Sequence, residues 1–178
     1  MRKPALWAML ALVVSANTAF GDVPAAKRER PSLPVGSIPE NELGKDTKGN
    51  KVRISDYHGK VVIVSFWASW CGPCKQELPV LAGVVKQVGP DHLQVIAINY
   101  RDEYEPFKYV VNVLKDYPIT FLRRDPNSRT AKKYGVHGIP RMIFIGRDGK
   151  VAADHTGYGE SMIPELVDQL NTLLAQRS

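Results

Sequence analysis

The chain has 178 residues, of which 44% are hydrophobic, and this is enough for one domain of ordinary size with its own core. Its formal net charge at pH 7 is +6, and no stretch interleaves basic with aromatic residues, so we expect no nucleic-acid partner. Cys71 and Cys74 are the only cysteines, which excludes a scaffold built from disulfides.

Residues 1–21 have the composition of a secretory signal peptide. Arg2 and Lys3 precede an apolar run of ten residues, 5–14, and Ala19 and Gly21 supply the small residues of a cleavage site. The run is too short for a comfortable transmembrane helix, although an uncleaved anchor remains the alternative. We therefore predict a periplasmic or otherwise extracytoplasmic protein.

Residues 22–40 contain four prolines and several basic residues, as is typical of an extended linker outside the core. We expect the folded domain to span residues 41–178. It begins with a β-hairpin, because a turn signal at 47–50 precedes a short strand at 51–54.

The apolar pattern then predicts, in chain order, a buried strand at 61–67, a helix up to 88, a strand at 93–98, a helix around 107–114, a short strand at 119–122, a short helix at 128–134, a hairpin of strands 142–145 and 151–154, and a helix at 163–174. Pro79 predicts a kink in the first helix, and Ser161 is the candidate N-cap of the last. A parallel βαβ half joined to an antiparallel ββα half indicates an α/β fold with a mixed central sheet flanked by helices.

Both cysteines lie where the strand 61–67 meets the following helix, in Trp70-Cys71-Gly72-Pro73-Cys74. A Cys-x-x-Cys pair that opens a helix is a redox signature. Unpaired N–H groups and the positive end of the helix dipole favour a thiolate at Cys71. Pro73 suits the first helical turn, and Gly72 leaves the sulfur uncovered. We expect Cys71 to be exposed and Cys74 to be less accessible.

Other uses of the cysteine pair are less consistent with the sequence. A structural disulfide across three positions would constrain the unfolded chain only weakly. A zinc site needs about four ligands, and the four histidines are not spaced as partners for these cysteines. We therefore expect no metal and no cofactor other than the redox-active pair Cys71–Cys74.

Residues 66–75, Phe-Trp-Ala-Ser-Trp-Cys-Gly-Pro-Cys-Lys, closely resemble the thioredoxin active site. Residues 134–140, Tyr-Gly-Val-His-Gly-Ile-Pro, resemble the thioredoxin loop that ends in a cis-proline opposite the cysteines. The segment Glu77-Leu78-Pro79, the hairpin, the insert at 101–118 and the export signal resemble the TlpA/ResA branch of extracytoplasmic thiol–disulfide reductases. The resemblance implies a thioredoxin fold and a thiol–disulfide oxidoreductase, in which Cys71 attacks a partner disulfide and Cys74 resolves the mixed disulfide.

The chain departs from thioredoxin six residues before the first cysteine, where Ser65 replaces a buried Asp. The resemblance to ResA-type proteins implies that Glu77 handles the proton instead. Glu77 shares a helix face with Cys74, and its apolar neighbours predict a partly buried carboxylate with a raised pKa. The alternative is an exposed acid that only favours the helix dipole.

A second departure is Arg141, which follows the expected cis-proline where the TlpA branch often has threonine. Two interpretations remain open at this point. Either Arg141 adds positive charge near the Cys71 thiolate, or its side chain points to solvent.

The substrate-docking surface is expected at Trp70, Gly72, Pro73, Ile139 and Pro140. The Gly-Pro dipeptide between the cysteines resembles that of reducing thioredoxin and favours a reducing potential. The resemblance implies protein dithiol or disulfide substrates, with cytochrome c maturation as one setting, and a membrane electron donor for re-reduction. We expect a monomer.

Three other functions compete with that of a disulfide reductase. A disulfide-forming oxidant and a non-enzymatic metal-binding or chaperone-like module both remain open. A thiol peroxidase is disfavoured, because its Pro-x-x-x-Thr-x-x-Cys pattern would need Pro at 64 and Thr at 68, where this chain has Val64 and Ala68.

Overall fold

The computed structural model describes residues 33–123 and 127–176; the predicted signal peptide and the first part of the predicted linker lie outside this part of the chain. A small antiparallel hairpin of β1 (Glu42–Lys45) and β2 (Lys51–Arg53) precedes the main fold, as predicted. A 3-10 turn at Ile54–Tyr57 leads from this hairpin into the central sheet.

The main fold is an α/β sandwich around a five-stranded sheet of order β5-β4-β3-β6-β7. Its elements are β3 (Val61–Trp67), α1 (Gly72–Val88), β4 (Leu93–Asn99), α2 (Tyr104–Val113), β5 (Ile119–Phe121), α3 (Arg129–Lys133), β6 (Arg141–Ile145), β7 (Val151–Thr156) and α4 (Ile163–Ala175). Strands β3, β4 and β5 pair in parallel, whereas β6 pairs antiparallel with both β3 and β7. The predicted mixed sheet of a thioredoxin-like fold is confirmed.

Strand β3 is buried along its whole length because apolar layers cover both faces of the sheet. Val64 lies in one core cluster with Leu43 of the hairpin and Tyr134 after α3. On the opposite face, Ile63 lies in a second cluster with Leu81 of α1 and residues of α4. The carboxyl end of this central strand carries the cysteine motif, so the motif rests on the most deeply packed part of the fold.

Residues 33–37, the described end of the predicted linker, lie along β7. The Gly36 N–H donates to the Val151 carbonyl at 2.7 Å, and the Val151 N–H donates to the Ser37 carbonyl at 2.9 Å. The Leu33 N–H donates to Asp154 Oδ2 at 2.7 Å, and the Leu33 side chain packs against the core. This part of the segment is therefore attached to the domain instead of acting as a free spacer.

The last helix begins differently from the prediction. Ser161 belongs to a 3-10 turn, Glu160–Met162, and Met162 takes the N-cap position without a side-chain hydrogen bond. Because the turn runs directly into α4, the Ser161 hydroxyl is not placed to accept from the first helical N–H groups, and its prediction as the cap was wrong. Helix α1 continues through Pro79 to Val88. Within the described ranges, no helix is both long and apolar enough to cross a membrane.

Candidate active site

The two cysteines lie where β3 turns into α1. Cys71 is the N-cap of α1 with an extended backbone, and its Sγ accepts a hydrogen bond from the Cys74 N–H at 3.2 Å. The two cysteines form a disulfide, and the exposed Gly72 and Pro73 lie between them in the first turn of the helix. A sulfur at this position faces the unpaired N–H groups and the positive end of the dipole, which favour a thiolate after reduction.

The sequence correctly predicted which cysteine is the more accessible, but it did not predict how little of Cys71 is exposed. Cys71 is 5% exposed and Cys74 is 0% exposed, so Cys71 is the more accessible residue, and the prediction of an exposed Cys71 was wrong. Its sulfur is bonded to Cys74 and belongs to an apolar cluster with Trp67, against which Ile139 also packs. Only a small part of Cys71 is therefore accessible to a partner in this structure.

The Ile139–Pro140 peptide bond is cis, as the sequence predicted. The Gly157 N–H donates to the Pro140 carbonyl at 2.8 Å, which ties the loop to the segment after β7. Since Ile139 packs against the cluster that holds both cysteines, the loop lies beside the redox pair.

The five predicted docking residues differ in accessibility. Trp70 is 60% exposed, so its side chain is not part of the core. Gly72 and Pro73 are also exposed, Ile139 is half-buried, and Pro140 is buried. Their role in binding a partner stays a prediction.

Glu77 is completely buried, more than the partial burial predicted, and this rules out the exposed-acid alternative. The Ser65 hydroxyl donates to Glu77 Oε1 at 2.6 Å, and Oε2 has no hydrogen-bond partner among the described residues. Burial raises the pKa of Glu77 to about 7, against a smaller lowering by the Ser65 hydrogen bond. A carboxyl group with this pKa can accept or release a proton at neutral pH.

In the sequence, Ser65 stands where thioredoxin has its buried aspartate. It is fully buried, and its hydroxyl is the hydrogen-bond donor to the acid of the neighbouring helix. Tyr158, in the segment after β7, lies near the same acid: burial raises the pKa of Tyr158, and the negative charge of Glu77 raises it further. No sequence pattern marked Tyr158 as a neighbour of Glu77.

Arg141 is buried in an ion pair, so the expectation that it points to solvent was wrong. Its Nε and Nη2 donate to Asp154 Oδ1 and Oδ2 at 2.9 and 2.6 Å, and its Nη1 donates to the Gly135 carbonyl at 2.7 Å. The paired charge of Asp154 offsets the guanidinium charge, which weakens the alternative of an electrostatic effect on Cys71. Because Asp154 also accepts from Leu33, the ion pair joins the cis-proline loop, β7 and the segment 33–37.

No group of three or more His, Cys, Asp or Glu side chains that could hold a metal occurs in the described part of the chain. The ionisable groups that the structure brings together here are the cysteine pair and the buried acid Glu77. A thioredoxin fold with a Cys-x-x-Cys disulfide at a helix start and a cis-proline loop beside it defines the class of thioredoxin-like thiol–disulfide oxidoreductases, and this protein is an enzyme of that class.

Comparison with known proteins agrees with this class. The model of the AhpC/TSA family matches residues 36–171, and the chain belongs to this family. It is 32% identical over 140 residues to the thiol-disulfide oxidoreductase ResA of Bacillus subtilis (strain 168), covering 77% of this chain and 76% of the relative. The similarity bears out the predicted resemblance to the ResA branch.

Two solved structures extend the comparison. A Chlorobium tepidum protein described as a thiol:disulfide interchange protein, DsbE, superposes with a TM-score of 0.70 at 32% identity, covering 81% of this chain and all of that one. The pneumococcal exposed lipoprotein thioredoxin from Streptococcus pneumoniae superposes with a TM-score of 0.58 at 30% identity, covering 75% of this chain and 99% of that one. Both carry the same overall fold.

Proposed function

We propose that the protein is an exported, monomeric reductase that opens disulfides in extracytoplasmic partner proteins through Cys71 and Cys74. The signal-like composition of residues 1–21 supports export, as does the similarity to a thioredoxin described as an exposed lipoprotein. The Gly-Pro dipeptide between the cysteines supports the reducing direction.

The buried acid Glu77 is the observation that carries this direction. Glu77 and Cys74 are both fully buried and lie three residues apart on α1, so their side chains share one helix face. A negative charge on Glu77 disfavours a neighbouring thiolate and thus destabilises the reduced pair relative to the disulfide. A dithiol that is destabilised in this way releases its electrons more readily, so its reduction potential is more negative.

The reaction has two steps. The Cys71 thiolate attacks one sulfur of the partner disulfide; a Cys71–partner bond forms, the partner S–S bond breaks, and the released sulfur takes up a proton. The Cys74 thiol then transfers its proton to Glu77 and attacks the Cys71 sulfur. The Cys71–Cys74 disulfide forms, the mixed disulfide breaks, the leaving sulfur takes up a proton from water, and the partner leaves as a dithiol with the two electrons of the pair.

Docking of the partner uses the exposed edge around the cysteines. An extended segment of the partner pairs with the backbone at Ile139, as a strand adds to a sheet edge, and the exposed side chain of Trp70, next to Cys71 in the chain, contributes to the docking surface. One substrate we propose is the cysteine pair of a c-type haem attachment motif, C-x-x-C-H, and with this substrate the enzyme would act in cytochrome c maturation. A membrane donor then re-reduces Cys71–Cys74, because the compartment outside the cytoplasm is oxidising.

A measured reduction potential tests the direction. The protein is equilibrated in thiol–disulfide buffers of defined potential, and the oxidised fraction is read by alkylation and mass spectrometry. We expect a value near the ~−270 mV of thioredoxin, and Glu77→Gln should move it upward by roughly 30 mV or more. A value near the ~−120 mV of a strong oxidant would instead establish the disulfide-forming alternative.

The substrates can be identified by trapping. In a Cys74→Ser variant the mixed disulfide at Cys71 cannot be resolved, so partners stay attached and can be named by mass spectrometry. A Cys71→Ser variant, which lacks the attacking sulfur, is the matched control. We expect exported proteins with paired cysteines in the first sample and none in the control; recovery of cytoplasmic partners alone would contradict the proposed compartment.

A further inference from the structure

A buried aspartate joins the loops that follow β3 and β4. Asp102 is 2% exposed, and its carboxylate accepts from the Ser69 N–H at 2.8 and 3.1 Å and from the Ser69 hydroxyl at 2.8 Å. The side-chain amide of Asn99 donates to Asp102 Oδ2 at 2.7 Å, and the Asp102 N–H donates back to Asn99 Oδ1 at 3.2 Å. Two neighbouring loops are thus held by one side chain.

This carboxylate lies at the edge of the sheet that carries the cysteines. Strands β3 and β4 are parallel and in register, with Trp67 opposite Asn99, so their carboxyl ends meet at the same edge. Ser69 comes two residues after the end of β3, inside the turn that the Cys71 N–H closes by donating to the Ala68 carbonyl at 3.1 Å. Any movement of Ser69 therefore displaces the turn that sets Cys71 at the start of α1.

The backbone is strained at the residue directly before Asp102. Arg101, the preceding residue, has a φ of +60°, a left-handed conformation that is unfavourable for a non-glycine residue. Burial of a carboxylate is also unfavourable unless hydrogen bonds compensate it. Strained and buried polar groups of this kind persist where the surroundings hold them firmly, and they concentrate at functional sites.

We propose that Asp102 is a positioning residue for thiol–disulfide exchange: it holds Ser69, and through the turn containing Ser69 it fixes the Cys71 sulfur for attack. In this position the Cys71 sulfur accepts a hydrogen bond from the Cys74 N–H. After reduction, the same hydrogen bond stabilises the thiolate. The contact between Asp102 and Ser69, called the clamp below, also restrains Trp70, the exposed residue between Ser69 and Cys71. The proposal rests on the exchange activity and is independent of its direction.

The titration of the Cys71 thiol tests the clamp. A Cys74→Ser background leaves one titrating thiol and keeps the backbone N–H at position 74, so the rate of alkylation against pH reports Cys71 alone. Ser69→Ala and Asp102→Asn should each move the midpoint of this profile upward by roughly one pH unit, because a loosened turn loses a hydrogen bond to the thiolate. Glu103→Gln, which removes an exposed carboxylate next to Asp102, is the control and should leave the midpoint unchanged.

The second measurement is kcat/KM for reduction of a model protein disulfide by the enzyme with both cysteines. We expect Ser69→Ala and Asp102→Asn to lower it by about 10- to 100-fold, the cost of a displaced reacting group, and Ser69→Thr to restore it because the hydroxyl donor returns. Ser69→Ala keeps the carboxylate in place, so it decides the question if Asp102→Asn does not fold.

Two results would overturn the proposal. If both variants unfold more easily but keep the native alkylation midpoint and kcat/KM, Asp102 has only a structural role. If the midpoint falls in Asp102→Asn and stays unchanged in Ser69→Ala, the carboxylate acts through its negative charge and not by holding the turn.

Discussion

At the residue scale, the proposed mechanism depends on a carboxyl group in an apolar environment. Among the described residues, the Glu77 side chain accepts one hydrogen bond, from Ser65, and burial moves its pKa to about 7, where it can exchange a proton with a thiol at neutral pH. Its position on the face of α1 that also carries Cys74 supports the proposed part of this proton in the resolving step. Two measurements separate the proposed proton transfer from an effect on stability.

The first measurement is the rate of the resolving step. Glu77→Gln removes the proton acceptor, so release of the mixed disulfide should slow by about 100-fold, and the inflection near pH 7 should disappear from the pH–rate profile. Stopped-flow mixing with a model protein disulfide measures both. Glu105→Gln, an exposed acid on α2, is the control and should retain the native rate and profile. An unaltered profile in Glu77→Gln would remove this residue from the mechanism.

The second measurement is stability against pH. The folded-state pKa of Glu77 is raised from 4.5 to about 7, so the folded state binds the proton more tightly than the unfolded state. Stability from this group is fully present below pH 4.5 and is lost as the pH rises through 7, by up to about 3 kcal/mol. Urea unfolding should therefore show that Glu77→Gln flattens the loss of stability between pH 5 and pH 8. An equal slope of stability against pH in both proteins would show that burial does not raise the pKa of Glu77.

At the scale of elements, the cis-proline loop is held by β7 through a buried ion pair. Arg141 directly follows Pro140, and its guanidinium bonds to Asp154 on β7 and to the Gly135 carbonyl at the other end of the loop. Both charged side chains are only 4% exposed. A buried pair of this kind makes each partner dependent on the other, because loss of one side chain removes the charge that compensates the burial of the other.

Removal of one partner should therefore be costly. Asp154→Leu leaves the Arg141 charge buried without its counter-ion, and we expect a loss of about 3–5 kcal/mol in the free energy of unfolding. Lys133→Ala, which breaks the exposed pair with Glu40, is the matched comparison and should cost no more than about 1 kcal/mol.

The double variant Asp154→Leu with Arg141→Met separates charge from packing. It should regain most of the stability that Asp154→Leu loses, because no buried charge remains. Urea denaturation of the native protein, the two single variants Asp154→Leu and Lys133→Ala, and the double variant measures these differences. A double variant no more stable than the single one would show that packing, and not the unpaired charge, accounts for the loss.

At the scale of the whole molecule, the segment 33–37 extends the edge of the sheet beside β7. Its backbone exchanges two hydrogen bonds with Val151, and Leu33 bonds to Asp154 of the ion pair. The stability of the cis-proline loop is thereby connected to the segment that precedes the domain.

Truncation of the chain tests this connection. A protein that begins at residue 38 should unfold at lower urea concentration than one that begins at residue 30. Its free energy of unfolding should be lower by about 2–3 kcal/mol, because three hydrogen bonds are lost. The same comparison locates the start of the domain, predicted at residue 41. Equal midpoints would mean that residues 33–37 contribute nothing to the stability of the domain.

Local and contiguous patterns were sufficient for the main features of this protein. The buried strand, the helix that starts at its cysteine pair and the loop that ends in Ile139–Pro140 are each one contiguous stretch, of which the 17-residue helix is the longest, so neighbouring residues carry the information. The order of strands and helices followed from hydrophobic periodicity. The direction of the Glu77 pKa shift also followed, because apolar neighbours along α1 already indicated burial.

Only the tertiary structure decided which side chains meet across the fold. Ser65 reaches Glu77 from twelve residues away, Asp154 pairs with Arg141 across thirteen, and Asp102 holds Ser69 across thirty-three. These contacts depend on strand register and on how the helices lie over the sheet, neither of which appears in local periodicity. The low exposure of Cys71 has the same origin, since residues distant in the chain, such as Phe121, lie in its cluster and Ile139 packs against that cluster.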